Sequence, residues 1–208
     1  GNRVYRDGTS SIENICTYYV NGAQVFGSIV RLTNLQPYHY VLDVGCGPLR
    51  IGRHLIPFLL PNRYYGVEPE KKWLEEGLKY EVSEHMVKLK SPTFYHGSDF
   101  NFKNFNKQFD LIIAASVFIH CGIEQLQECL TNAYQCMSPD GLIFITAKIG
   151  DDTKQIAYPT PKTRYKYSSH KTTIYSMDDF DKIIGDIGFK RLEGGTRPQS
   201  AHFALCKR

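Results

Sequence analysis

No run in the sequence approaches the roughly 18 uncharged apolar residues that a membrane-spanning helix needs. The opening GNRVYRDGTSS also lacks the apolar centre of a secretory signal. A soluble, cytoplasmic protein is the expectation. Paired cysteines are missing too: the six, at positions 16, 46, 121, 129, 136 and 206, form no C-x-x-C and show no zinc-ligand spacing, so no metal site is expected. Cys129 and Cys136 stand seven apart, on one face of a helix, where a free cysteine serves as a small apolar residue. Strong charge of one sign is absent. A net charge of +4 and a pI near 8.6 fall short of the value above about 9 that marks a dedicated nucleic-acid binder, and suit a small anionic substrate as well. Internal repeats and low-complexity stretches are lacking, which excludes solenoids and arrays.

What is present is ordinary globular composition, 42% hydrophobic and 22% charged, in a length of 208 residues that suits one domain. Apolar strand-like runs alternate with helical ones. The strands are YVLDV (40–44), RYYGV (63–67), TFYHG (93–97), FDLIIAAS (109–116) and GLIFITA (141–147). The last two are apolar at nearly every position, as parallel strands covered on both faces are. GFKRLEG and AHFALCKR, joined through a short Gly- and Pro-containing loop, read as an antiparallel closing hairpin. The expected architecture is α/β: a Rossmann-like, seven-stranded, mostly parallel sheet with helices on both faces and an antiparallel C-terminal hairpin.

Helices fall between the strands. Residues 10–39 form an N-terminal helical segment opened by the capping box Ser10 to Glu13, with Gly22 a point of division into two helices. Residues 48–60 start at Pro48 and stop before Pro61, with a kink at Pro57. Pro69 and its following acids open the helix that carries Trp73. Residues 123–137 keep helical apolar spacing, and Ser176 with Asp179 caps a last helix. Residues 148–175 fit neither pattern. Loops this long are functional or unstructured, and this one sets tyrosines among cations, so its stretch 150–175 is read as a substrate lid.

The stretch VLDVGCGPLRIG, residues 41–52, drives a strand into a glycine turn and then a helix, the place where an open α/β sheet receives its ligand. Three nucleotide patterns compete there. The dinucleotide fingerprint needs a small residue where Arg50 stands, and the phosphate-loop pattern needs Lys and Ser or Thr where Arg53 and His54 stand. The third is the first motif of class I methyltransferases dependent on S-adenosylmethionine (SAM), which VLDVGCGP resembles. The resemblance extends over nearly the whole chain. It implies SAM as cofactor and S-adenosylhomocysteine (SAH) as product, with Asp43 ordering the turn and Gly45, Cys46 and Gly47 against the methionine part. Leu49 stands where many members carry a third glycine. Glu68, 21 residues past Gly47, and Pro69 would face the ribose. Asp99 and Phe100 would take the adenine amino group and ring face, with Ser116 completing the set. Each has a plainer reading: Glu68 as an acid favoured at a helix start, Asp99 as a loop cap. Their order along the chain carries the specificity.

More narrowly, GCGPLRIGRHLIPFLLPNRYYGVEPE followed by SVFIH is similar to methyltransferases of bacterial surface-glycan pathways, including capsule enzymes associated with O-methyl phosphoramidate decoration. That implies oxygen methylation of a small molecule or glycan precursor, possible acceptors being an anionic phosphoramidate or a sugar nucleotide. Arg164, Tyr165, Tyr167, His170 and Lys171 would bind the acceptor. His120, which closes SVFIH, and His170 are the candidate bases, with His120 open also to a purely structural role. RNA methylation, the same basic segment holding phosphates and stacking bases, and an inactive SAM-binding partner subunit are the competing readings.

Overall fold

The strand VLDV is buried at all four positions, and so is YYGV, because each lies inside a parallel ladder with helices beside it. The computed structural model describes residues 12–157, 171–195 and 201–208, with side chains for 16–156, 172–192 and 201–208. It divides into two units, Gly1–His96 and Gly97–Arg208.

In the first unit, helix α1 (Ile12–Thr33) precedes strand β1 (Val41–Val44), helix α2 (Gly52–Phe58), strand β2 (Tyr64–Val67), helices α3 (Lys71–Tyr80) and α4 (Glu84–Lys90), and strand β3 (Thr93–Tyr95). The strands run parallel in the order β3, β2, β1, with Asp43 opposite Gly66 and Val67 opposite Tyr95. Helix α1 is continuous through Gly22, so the expected division there is wrong. Gly22 is instead a packing position: a Cβ on it would lie 2.7 Å from the Arg50 carbonyl oxygen, and one on Gly77 of α3 would lie 2.6 Å from Pro48. Both helices thus press on the turn after β1. The capping box falls outside the described residues. Helix α2 starts at Gly52 rather than Pro48 because Pro48 to Ile51 form the turn itself, and Pro57 sits in its last turn. Helix α4 escapes sequence reading: it is seven residues long and buries no side chain, and its one signal is Ser83, whose Oγ accepts from the Met86 N–H at 3.2 Å.

Arg53 and His54, the residues that break the phosphate-loop pattern, hold this unit together. The Arg53 guanidinium lies 3.4 Å from Glu81 Oε2, donates to the Tyr19 carbonyl at 3.2 Å, and stacks 4.1 Å from the Tyr19 ring centre. His54 stacks on Phe26. Those side chains are committed to α1 and α3 rather than to a phosphate.

In the second unit, strand β4 (Phe109–Ala114) leads through a 3-10 turn at Phe118–His120 to helix α5 (Ile123–Cys136) and strand β5 (Met137–Ile149). Then come β6 (Lys154–Ala157), β7 (Lys171–Tyr175), helix α6 (Met177–Ile187), β8 (Phe189–Gly195) and β9 (Ala201–Lys207). Strand β5 runs parallel to β4 and antiparallel to β9, which pairs antiparallel with β8 as the expected closing hairpin. Helix α5 buries Leu126, Cys129, Leu130, Ala133 and Cys136, and α6 is capped by Ser176, whose Oγ accepts from the Asp179 N–H at 3.2 Å. Among the described residues there are nine strands. Seven are the expected ones. The other two correct the reading of residues 148–175 as irregular: β6 and β7 pair antiparallel, and β7 pairs parallel with the end of β5 at Lys148 and Ile149. The alternating polar pattern of KTTIY hides a strand whose threonines are buried by tertiary contact, Thr172 at 3% and Thr173 at 0% exposure.

No helix among the described residues is long and apolar enough to cross a membrane, and no group of three or more His, Cys, Asp or Glu among them could hold a metal ion.

Candidate functional site

Where β1 ends, the chain turns sharply: Gly45 has φ +65° and Gly47 φ +54°, the left-handed region that glycine enters without penalty. The Gly45 and Cys46 N–H groups both donate to the Val67 carbonyl, at 2.8 and 3.1 Å, tying the turn to the end of β2. Leu49, in the place of a third glycine, takes φ +57° and is fully buried. Its backbone adopts the conformation that a glycine would, and burial of the side chain offsets the roughly 1–2 kcal/mol left-handed cost.

Glu68, just past β2, is 4% exposed and closes over this turn. Its Oε2 accepts from the Gly47 N–H at 2.9 Å and its Oε1 from the Glu70 N–H at 2.9 Å. The Glu68 N–H donates to the Tyr95 carbonyl at 3.1 Å, and its own carbonyl meets His96 Nδ1 at 3.1 Å. Burial raises the Glu68 carboxyl, while the two backbone donors oppose it. Each oxygen takes one backbone donor, and a carboxylate oxygen has room for a second. Pro69 stands between Glu68 and the start of α3.

Gly47 differs from the glycines that pack against protein atoms, as does Gly27, which has nothing within 4 Å of its Cβ position. A Cβ on Gly22, Gly52, Gly66 or Gly77 would meet protein atoms at 2.6–2.8 Å, so the protein's own packing explains those positions. On Gly47 the nearest atoms would be the Gly45 oxygen at 3.9 Å and Glu68 Oε2 at 4.0 Å. The turn, exposed at Gly45 and buried at Gly47, places left-handed glycine backbone beside a buried carboxylate, a surface that a ligand with hydroxyl or ammonium groups fits. Cys46 lies to the other side, 6% exposed, with its Sγ 3.0 Å from where a Gly66 Cβ would be. Burial pushes that thiol well up, so it is an inert apolar contact.

Asp43 does not touch the turn's backbone directly. Its Oδ2 accepts from the Tyr64 hydroxyl at 2.7 Å, inside the sheet. Burial, and to a lesser degree the Glu68 charge, push its carboxyl up to about 7 against the Tyr64 hydrogen bond and the Arg50 charge. The folded state therefore holds the proton more tightly than the unfolded chain, whose value is near 3.8. Stability from this group is full below about 3.8 and is lost as pH rises through about 7, by on the order of a few kcal/mol. Glu81, also pushed up to about 7 by burial, acts in the same direction. Asp43→Asn keeps an acceptor for Tyr64, and its Tm relative to the wild type should rise between pH 5 and 8. A constant difference across that range would mean that Asp43 is ionised throughout.

In the second unit, Asp99 is exposed and its Oδ1 accepts from the Asn101 N–H at 3.2 Å, a loop turn of its own. Phe100 follows with φ +47°, its ring 6.2 Å from that of Phe102. Ser116, two residues past β4, has φ +63°, and its N–H donates to Thr146 Oγ1 at 2.6 Å. Among the described residues seven non-glycine residues have positive φ; Asn34, Asn62 and Asn106 are of a type that enters this region readily, and Ser91 takes it as the C-cap of α4. The remaining three, Leu49, Phe100 and Ser116, each follow the carboxyl end of a strand. Strained backbone held in place by its surroundings gathers at functional sites.

His120 is half-buried at the end of the 3-10 turn, its N–H donating to the Val117 carbonyl at 3.1 Å. Burial, helped by the Lys148 charge, lowers its pKa, so the imidazole is neutral at pH 7. Arg164, Tyr165, Tyr167 and His170, and most of the stretch 150–175 read as a lid, lie outside the described residues. Lys171 begins β7. Sequence reading missed Thr146, Thr172 and Thr173, which act through partners far along the chain and carry no local signal.

Residues 42–143 match a family model described as a methyltransferase domain. Across solved structures, the chain is similar to a magnesium protoporphyrin IX methyltransferase from Synechocystis PCC 6803 with bound SAM, at 20% identity and a TM-score of 0.68, covering 99% of this chain and 88% of that one. It is also similar to a glycopeptide N-methyltransferase, MtfA, at 10% identity and a TM-score of 0.67, covering 96% of this chain and all of that one. The CcbJ methyltransferase from Streptomyces caelestis is a third, at 12% identity, TM-score 0.66, and coverage of 90% and 89%. These likenesses show the fold: Rossmann-like α/β, mostly parallel, with an antiparallel C-terminal hairpin.

Proposed function

We propose that the chain is a SAM-dependent methyltransferase that moves a methyl group to an oxygen of a small molecule or glycan precursor, releasing SAH. The left-handed glycine turn at Gly45 and Gly47, with buried Glu68 accepting from the Gly47 N–H, carries the proposal. In this reading Gly45, Cys46 and Gly47 lie along the methionine part of SAM and Glu68 and Pro69 along the ribose, while Asp99, Phe100 and Ser116 are proposed from the sequence alone as adenine residues. The left-handed backbone of Leu49 supports an intact turn and speaks against a degenerate, inactive relative. The match of residues 42–143 to a methyltransferase domain supports the same reaction.

Bound SAM supplies an electrophilic methyl on a sulfonium, so the chain's own task is alignment, a contribution of about 7–11 kcal/mol to lowering a barrier. A hydroxyl acceptor must also lose a proton. His120, neutral at pH 7, is proposed to take it at a ring nitrogen, a gain of roughly 10²- to 10⁴-fold. A phosphoramidate oxygen, already anionic, needs cations instead. Arg164, Lys166 and Lys171 are charged candidates from the sequence for that role, with Tyr165, Tyr167 and His170 beside them, and they favour an anionic precursor such as those of capsule assembly. Fold relatives named for a porphyrin and a glycopeptide, together with a modest +4 charge, favour a small acceptor over RNA.

Calorimetric titration with SAM and SAH tests the first half. Binding is expected with Kd between about 1 µM and 1 mM, and no binding in that range would overturn the proposal. Tritium transfer from labelled SAM to sugar nucleotides, phosphoramidates and bulk RNA tests the second. Transfer to RNA alone would replace the acceptor class, and binding without transfer to any of them would favour a SAM-binding partner subunit.

A further inference from the structure

The turn that carries His120 is held from outside by a strand more than fifty residues further along the chain. Thr172 Oγ1 donates to the Ile119 carbonyl, and Thr173 Oγ1 donates to the Cys121 carbonyl at 3.0 Å. The two acceptors flank His120 in the chain. Both threonines are buried, and they belong to β7, which is itself fixed by parallel pairing to the end of β5, the strand that supplies Lys148. Phe118, fully buried, pins the start of the same turn, and the Ser116 N–H is fixed by Thr146 of β5. Two successive hydroxyls on carbonyls either side of one imidazole do more than a strand needs. Valine would fill the same space and suit a strand as well.

We propose that Thr172 and Thr173 are positioning residues for His120: their hydroxyls fix the carbonyls on both sides of it and so set where the imidazole sits. Their importance for methyl transfer rests on the reading of His120 as the base, whereas their hold on the ring does not. Released from the clasp, the ring moves away from Lys148 and toward water, which returns it toward the ordinary histidine value near 6.5. The neighbouring Cys121 thiol, pushed up to about 11 by burial, stays neutral throughout and does not complicate the titration.

The test is an NMR titration of the full chain labelled at histidine Cε1, with the His120 signal assigned by its loss in His120→Gln. In Thr172→Val/Thr173→Val the His120 midpoint should rise toward 6.5 and its line should broaden, with the Kd for SAM unchanged. Thr172→Ser/Thr173→Ser should restore both. An unchanged midpoint and linewidth in the folded valine variant would overturn the proposal. If the double variant does not fold, each single valine variant carries the same comparison. Failure of all three to fold would mark the hydroxyls as purely structural and overturn it as well. If the titration behaves as expected but His120→Ala transfers methyl groups at the wild-type rate, the base reading fails and the positioning stands.

Discussion

A protein carrying Gly47→Val is expected to fold and to bind SAM about 10²-fold or more weaker than the wild type. Two effects act together. The residue has φ +54°, where a β-branched side chain is strained by roughly 1–2 kcal/mol, a cost that a domain of this size tolerates. The larger effect is on the ligand, because a Cβ alone would already stand in ordinary contact with the Gly45 oxygen at 3.9 Å and Glu68 Oε2 at 4.0 Å, so the two further methyl groups of valine would crowd Glu68 and the turn proposed to hold the cofactor. The same substitution at Gly22 would act on the fold, since there the Cβ already meets the Arg50 carbonyl at 2.7 Å. Calorimetry with SAM and a thermal melt separate the two effects. An unchanged Kd in a folded Gly47→Val protein would place the cofactor elsewhere and remove the main support for the proposed reaction.

The glycine turn and the carboxylate that meets it were legible in the sequence because their grammar is local. A strand that ends in Gly-x-Gly and a second strand that ends in an acid are each short stretches, and Glu68 reaches Gly47 across one ladder step of adjacent parallel strands. The part that was not legible depends on partners that sequence spacing does not reveal. Gly22 reads as a helix breaker, yet it stays helical because the chain after β1 presses against it. Asp43 reads as ordering the turn, and the contact that its Oδ2 makes with the Tyr64 hydroxyl one strand over carries no local signal. The segment KTTIY reads as polar and irregular, and it becomes a strand because Thr172 and Thr173 find carbonyls more than fifty residues back. Helix α4 has no apolar stripe to betray it, only the cap at Ser83.

His120→Ala should lower kcat by roughly 10² or more with the acceptor found by tritium transfer, while SAM affinity stays near that of the wild type. The direction of the His120 shift sharpens this expectation. Burial and Lys148 both disfavour the imidazolium, so the ring is a free base at neutral pH and its titration lies below the ordinary 6.5. The wild-type rate should therefore climb with pH on the acid side, through a midpoint under 6.5, and level off at a lower pH than it would with a base of unshifted pKa. The alanine variant should lose this acid limb along with its rate, because the group that titrates is gone. Loss of SAM affinity or of folded protein, with kcat intact in what remains, would assign His120 to structure instead. A wild-type profile level across the whole acid limb, with His120→Ala fully active, would mean that no proton has to be removed. The acceptor oxygen would then be an anion before it meets the enzyme, as a phosphoramidate is, and the cations of the sequence around Arg164 and Lys171 would take over the role proposed for the imidazole.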